Sequence, residues 1–315
     1  MKLATIKDGS RDGQLAVVAR DLKTAHMADA IAPTLQAALD DWAFMAPQLD
    51  GLYAQLNSGQ ARRAFDFDPA HCMAPLPRAS SWTMGAAWQQ PTAEEPVMVG
   101  GGEPLGAHEE IVLAHEEWGI DFGAGIAAIL DDVPMGATPD EAHGRIRLLT
   151  LVNEISLRAL MPDELARGGG LLQSKPATGF APVAITPDEL GDAWRGGKLH
   201  LRLRAALNGN LVGQPDAGVD MTFNFPQLVA HLCKTRRVRA GSIVGAGPVA
   251  NKTSTKRGAV APGYASIADQ RAIETLADGE ASTPYLRFGD TIRVEMLDER
   301  GKSVFGAIEQ KIAKA

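Results

Sequence analysis

The sequence predicts a mixed but strand-dominated fold: a barrel-like body over residues 76–315 behind a small α+β domain over residues 1–75. Three observations lead there. Beyond residue 75, short apolar runs alternate with Gly/Pro turns at close intervals and helical patterns are few, a layout typical of closed or layered β structure. Before residue 58, two segments repeat apolar residues at helical spacing. Between these regions, residues 66–78 carry three prolines and form a linker, which places a boundary near residue 75.

The elements follow in order. Residues 2–8 alternate, residues 9–13 are a polar Gly/Asp turn, and residues 14–20 are a second apolar run, together a hairpin. Residues 34–42 put Leu35, Ala38, Leu39 and Trp42 on one helix side, with Pro33 just ahead. A second helix over residues 45–57 shares Leu49, Leu52, Tyr53 and Leu56 on one face, and Ser58-Gly59 stops it. Residues 118–130 alternate apolar and small residues before an acidic Pro/Gly cluster; as one strand they set positions 121, 123 and 125 on the same face. Residues 139–146 are a short helix, while residues 150–160 fit helix or strand and end at Pro162. Thr186 caps the turn at residues 186–191. Residues 199–207 alternate with Leu199, Leu201 and Leu203 inward, and Asn208-Gly209 is a strong hairpin signal. Residues 221–236 form a helix behind Asp220 that buries Phe225, Leu228, Val229 and Leu232, and residues 242–249 a Gly-rich strand. Residues 287–297 and 302–309 close the chain as an antiparallel pair around a turn at 298–301.

Composition narrows the function. The chain has 315 residues, 45% hydrophobic and 22% charged, with a formal net charge of -7. That mildly acidic balance argues against nucleic acid, and the short run Lys234-Thr235-Arg236-Arg237 reads as a solvated turn. Cys72 and Cys233 lack metal spacing and are expected as free thiols in a reducing cytosol. Residues 1–9 turn polar at once and no stretch approaches a membrane span, so a cytoplasmic protein is expected. The seven histidines form no HExxH pair; His108-Glu109-Glu110 and His115-Glu116-Glu117 sit in polar, turn-rich sequence and read as solvent-facing. The triple glycines at 100–102 and 168–170 lack a strand–helix setting and read as loops.

Several segments taken together are specific. Leu76-Pro77-Arg78-Ala79, Trp118-Gly119-Ile120-Asp121-Phe122, Val152-Asn153-Glu154-Ile155-Ser156-Leu157-Arg158 and Gln173-Ser174-Lys175-Pro176-Ala177 occur in that order. Thr186-Pro187-Asp188-Glu189-Leu190-Gly191, Leu286-Arg287-Phe288-Gly289-Asp290 and Gly306-Ala307-Ile308-Glu309 follow. With these, the chain resembles the fumarylacetoacetate hydrolase family over residues 77–310, and its first 75 residues resemble the small N-terminal domain of many bacterial members. The resemblance implies a β-roll or barrel assembled as a homodimer. It also implies metal-assisted cleavage of carbon–carbon bonds in acylpyruvates and related 1,3-dicarbonyl acids, or decarboxylation or isomerisation of similar compounds. Mg²⁺, Mn²⁺ or Ca²⁺ would be held by a cage of carboxylates.

At the family's four ligand positions this chain has Met84, Gly123, Gly125 and Glu154. A thioether suits a hard cation poorly, and glycine offers no donor side chain. No metal or other cofactor is therefore expected. Asp121, on the face of the two glycines, is a partial substitute to consider. Trp88-Gln89-Gln90-Pro91 supplies none of the histidine that family hydrolases carry there, and Gly245-Ala246-Gly247-Pro248 replaces a ligand-binding threonine. Two cations match the family's substrate-facing positions: Arg158 and Lys175. The resemblance makes Lys175 and Glu154 the catalytic candidates, and Arg158, Gln173 and Lys175 the substrate-binding ones. Their partner would be a small carboxylic acid. The competing expectation for Glu154 is a buried ion pair, with Arg158 ahead of Lys175 as its partner. The expected function is a metal-independent enzyme on a small carboxylated 1,3-dicarbonyl or enol-type compound. The alternatives are a non-catalytic binding or structural relative, and an ordinary Mg²⁺-dependent fumarylacetoacetate or acylpyruvate hydrolase with rearranged ligands.

Overall fold

A computed structural model describes residues 1–88, 92–252 and 263–315. The strands and helices that position the site are, in chain order, β1 (Lys2–Ile6), β2 (Gln14–Val18), α1 (Leu35–Asp40), α2 (Trp42–Asn57), β3 (Trp82–Gly85), β4 (Ala124–Leu130), α3 (Pro139–His143) and β5 (Ile146–Glu154). There follow α4 (Met161–Ala166), β6 (Ala177–Phe180), β7 (Ala184–Ile185), β8 (Leu203–Leu207), β9 (Asn210–Gly213), α5 (Phe225–Leu232), β10 (Ile243–Ala246), α6 (Ile267–Asp278), β11 (Thr291–Met296) and β12 (Ile308–Lys314).

The largest sheet runs β2–β1–β7–β5–β4–β10–β3, with short strands at either end and β6 beside β5. The N-terminal hairpin therefore joins the body's own sheet: β1 pairs with β7 at Lys2↔Ile185 and Leu3↔Ala184. A second sheet runs β9–β8–β11–β12 and ends on Ile111–Leu113. The strand-dominated class is as expected; among the described residues both sheets follow open paths and no barrel closes.

Side chains alternate across a strand, and the buried residues obey this. Leu3, Leu15, Val17, Ala127, Ile129, Leu148, Val152 and Ile243 join one core, which α1 and α2 cover with Leu35, Leu39, Leu49, Tyr53 and Leu56. Ala4, Ile6, Ala16, Val18, Ile126, Ala128, Leu130, Leu149 and Leu151 join the other, shared with Phe225, Leu228, Leu203, Ile292 and Val294. Each fully buried Leu or Ile contributes about 1.5–3 kcal/mol, so these two faces fix the register.

Several boundaries differ from expectation, each for a local reason. Trp42 opens α2 rather than closing α1, because Asp41 (φ -138°, ψ 53°) breaks the helix between them. Of residues 150–160, 150–154 and 156–157 resolve as strand and 158–160 as a turn, and Pro162 lies in the first turn of α4, a position proline suits. The helix expected over 221–236 starts only at Phe225, since Asn224 and Gln227 form a capping box; Leu232 is only partly buried. The run 199–207 splits, with Leu199 pairing back onto Trp194 and Leu201 left half-buried. Asn208 and Gly209, at φ 49° and 79°, make the expected hairpin turn. The closing pair is in register Thr291↔Lys311 to Val294↔Ile308, so its second strand begins at 308 rather than 302. Thr186 makes no side-chain cap bond; its hydroxyl instead accepts from the Met1 amino group. The pattern reading passed over α6, whose only buried residue is Ile267.

Candidate active site

The stretch expected as one strand over 118–130 is two. Ile120–Asp121 pairs with Ser156–Leu157, Gly123 bridges to Ser266, and β4 starts only at Ala124. This break gives Asp121 a network of its own. Its carboxylate accepts from Arg158 Nε and Nη2, both at 2.8 Å, and from the backbone N–H of Ile267 (2.7 Å) and Ala268 (3.2 Å). Arg158 thus pairs with Asp121 and not with Glu154. Asp121 caps the first turn of α6, where a carboxylate meets unpaired amides and the positive end of the helix dipole. Full burial pushes its carboxyl upward, against the pull of Arg158 and the two amides. With both oxygens committed, Asp121 makes no substitute metal ligand.

Glu154 ends β5 and stands opposite Thr178 of β6. It is 2% exposed, and its Oε2 accepts from Lys175 Nζ at 2.6 Å. Lys175 also donates to the Ser156 hydroxyl at 2.9 Å, so two of the three ammonium protons are placed. Glu154 Oε1 and Thr178 Oγ1 are buried without a hydrogen-bond partner among the described residues. The Glu154 partner is therefore Lys175, the one set second in the sequence reading.

The loop bearing Lys175 is latched from α4. Glu164 accepts from the backbone N–H of Leu172 (3.0 Å), Gln173 (2.6 Å) and Ser174 (3.0 Å), and from the Ser174 hydroxyl. These bonds, the Ser174 hydroxyl foremost, hold the Glu164 carboxyl down at about 2. Gln173 has an exposed side chain and is tied in through its backbone. Thr178, Ser156 and Glu164 went unnoticed in the sequence because nothing in their residue types marks them. Only strand register and loop closure bring them here.

The four residues that the resemblance sets at the family's ligand positions offer a divalent ion a poor fit. Met84 is 2% exposed and its sulfur lies over Gly245, where a Cβ would come within 2.4 Å of it. A Cβ on Gly125 would stand 2.4 Å from the Ala246 carbonyl oxygen, and one on Gly123 3.1 Å from the Glu154 carbonyl oxygen. Glu154 is the only carboxylate of the four and is joined to an ammonium, whereas Ca²⁺ or Mg²⁺ takes about six or more oxygens. Among the described residues no three His, Cys, Asp or Glu side chains gather as a metal site. His115 and Glu117 are exposed, and Glu109 binds Lys7 and the Gly106 N–H. Cys72 and Cys233 are buried free thiols. Gln89, Gln90 and Pro91 lie outside the described residues. No described helix is long and apolar enough to cross a membrane.

Comparison with known proteins gives the family and the fold. Residues 1–78 match the fumarylacetoacetase N-terminal domain 2, and residues 73–313 the fumarylacetoacetate hydrolase C-terminal domain. The oxaloacetate tautomerase YisK of Bacillus subtilis is 26% identical over 144 residues, 44% of this chain and 45% of that protein. The matched region thus spans less than half the length of this curated relative. Among solved structures, a probable 2-hydroxyhepta-2,4-diene-1,7-dioate isomerase from Mycobacterium abscessus superposes with a TM-score of 0.66 at 18% identity, covering 100% of this chain and 99% of that one. The maleylpyruvate hydrolase of Sphingobium sp. SYK-6, solved with manganese and pyruvate, gives 0.65 at 13% identity, covering 100% of both chains. The hydrolase-domain match takes in well over half of the chain, and on it this protein belongs to the fumarylacetoacetate hydrolase family.

Proposed function

We propose that the chain is an enzyme of its family acting on a small carboxylated 1,3-dicarbonyl or enol-type compound, with the Lys175 ammonium in the role that relatives give to a metal ion. One observation carries this reading: Lys175 Nζ lies 2.6 Å from Glu154, the last carboxylate of the family's cage, and keeps one proton uncommitted among the described residues. That proton can hold a substrate carboxylate or the oxygen on which an enolate's charge develops, in surroundings where such a bond is strong. Glu154, through its free Oε1, takes the proton released from carbon beside the carbonyl and returns it. Arg158 supports the site indirectly, by fixing Asp121 and α6. The kinship with an oxaloacetate tautomerase supports proton transfer between keto and enol forms as the shared step. The working unit would be a homodimer.

The test is turnover of oxaloacetate enol and of acylpyruvates with and without EDTA. Wild type is expected to turn over in EDTA, and Lys175→Met to lose about 10²–10³-fold, the usual scale for removing one charge-stabilising donor. Turnover abolished by EDTA and restored by Mn²⁺ would return the conventional metal hydrolase. A second reading has its own support: Glu154 and the Lys175 side chain are at most 10% exposed, as in a structural ion pair. Absence of turnover over a keto-acid panel, with melting shifts on adding the same acids, would favour a binding protein.

A further inference from the structure

We infer that residues 168–174 are a hinged flap that closes off the Glu154–Lys175 pair, and that Glu164 is the positioning residue whose carboxylate keeps this flap shut. A ligand then reaches Lys175 only when the bonds to Glu164 part. Such a gate goes beyond the proposed chemistry and shares with it only the place of Lys175. The pair is enclosed: the Lys175 side chain is 10% exposed and that of Glu154 3%. On the strand side the enclosure is fixed. β5 and β6 pair from Val152↔Phe180 to Glu154↔Thr178, and the Pro176 and Ala177 carbonyls accept from the Glu103 and Ile155 N–H groups.

The chain just ahead of the lysine is built differently. Gly168, Gly169 and Gly170 are exposed, and a Cβ on any of them would meet nothing within 4 Å. Gly168 and Gly170 stand at φ 72° and 84°, a conformation glycine enters freely. Residues 169–171 make no hydrogen bond with any described residue, and Leu172 is 75% exposed. One side chain ties the far end down. Glu164 Oε1 accepts from the Leu172 and Gln173 N–H groups, and Oε2 from the Ser174 N–H and hydroxyl. Beyond these, the Lys175 N–H closes a turn on the Leu172 carbonyl, and the Ser174 carbonyl accepts from the Leu157 N–H. The glycines are therefore one hinge and Ser174, held by Leu157, is the other. A segment with so few buried contacts opens locally at little cost once its latch is released.

The experiment acetylates the amines of the full chain with N-acetoxysuccinimide in EDTA, without ligand, and follows each lysine by peptide mass spectrometry. The reagent is itself a small molecule that has to pass the flap. Lys175 is expected to react slowly in wild type and at least about tenfold faster in Glu164→Ala, the scale of losing a hydrogen bond to a charged group. Glu164→Gln keeps one oxygen for the Leu172 and Gln173 amides and should fall between them. Lys2, 3% exposed with its Nζ on the Val304 carbonyl, should stay slow in all three, which separates flap opening from loosening of the whole fold. Tryptic cleavage after Arg167, exposed at the base of the flap, should quicken in the same order. Should the alanine variant not fold, Glu164→Gln against wild type carries the comparison. Equal Lys175 rates in wild type and variants, a wild-type rate matching that of exposed Lys23, or a rise shared by Lys2 overturns the inference. Lys175-dependent turnover in EDTA would survive that result, and a gate found by labelling would stand if turnover proved absent, so the two fail by different measurements.

Discussion

A methyl group at Gly125 would collide with backbone, not with a side chain that can turn aside, because the Ala246 oxygen 2.4 Å away belongs to the paired strand β10. At Gly123 the nearest atom is 3.1 Å away, a contact that a few tenths of an ångström relieve. Gly125→Ala is therefore expected to cost about 1–3 kcal/mol, as overpacking does, and Gly123→Ala less than half as much. Urea midpoints at unchanged m-value measure the difference. Equal midpoints for the two variants would mean that β10 yields readily. The same contact explains why a glutamate grafted at 125 should bring no Mn²⁺ affinity: its first carbon has no room, and Met84 already lies over the glycines of the facing strand.

Between elements, two carboxylates do most of the positioning. Glu164 holds the loop that carries Lys175, and its depressed pKa sets the sign of a pH effect. The folded state binds this proton less tightly than the unfolded state, so the latch contributes its full stability above the ordinary 4.5 and loses it as pH falls toward about 2. The melting temperature of Glu164→Gln should fall below wild type at pH 7, the gap should narrow below pH 4.5, and the two should converge only near pH 2; a gap unchanged with pH would show that the latch does not depend on charge. Asp121→Asn leaves Arg158 without its partner and weakens the anchor of α6. The expected loss is about 3 kcal/mol, the low end for breaking a buried pair, because Arg158 is a quarter exposed. Local chemistry of this kind was only partly visible in sequence. The β1–β2 hairpin, the Asn208-Gly209 turn and the stop after α2 could be read because each depends on a few neighbouring residues. The Glu154–Arg158 pairing is expected only on the ground that a buried charge without a metal needs a partner, which does not say which cation supplies it. This segment is strand, and Arg158 reaches across to Asp121 instead. Glu164 grips amides eight to ten residues ahead of it, a closure with no periodic signature.

Across the whole molecule, the linker-like stretch near residue 75 belies how much is shared across it. Thr5 accepts the Met73 N–H through its carbonyl and gives its hydroxyl to the Pro75 carbonyl, while β1 completes the edge of β7. α1 reaches the body directly, with Gln36 donating to the Ala240 carbonyl. Apolar residues of the body, Ala127, Ile129, Leu148 and Ile243, belong to the same core as Leu35, Leu39 and Leu49 of the two helices. Residues 76–315 made alone would present that face and an unpaired strand edge to water, both of which favour association. The fragment is expected to bind a hydrophobic dye and to melt without a cooperative transition, whereas the intact chain unfolds in a single step. A cooperative transition in the fragment within a few degrees of the intact chain would show instead that the sheet between β7 and β3 needs no cover from α1 and α2. The site would then be independent of the first 75 residues, because Glu154 lies at the end of β5, the strand that β7 joins to the hairpin.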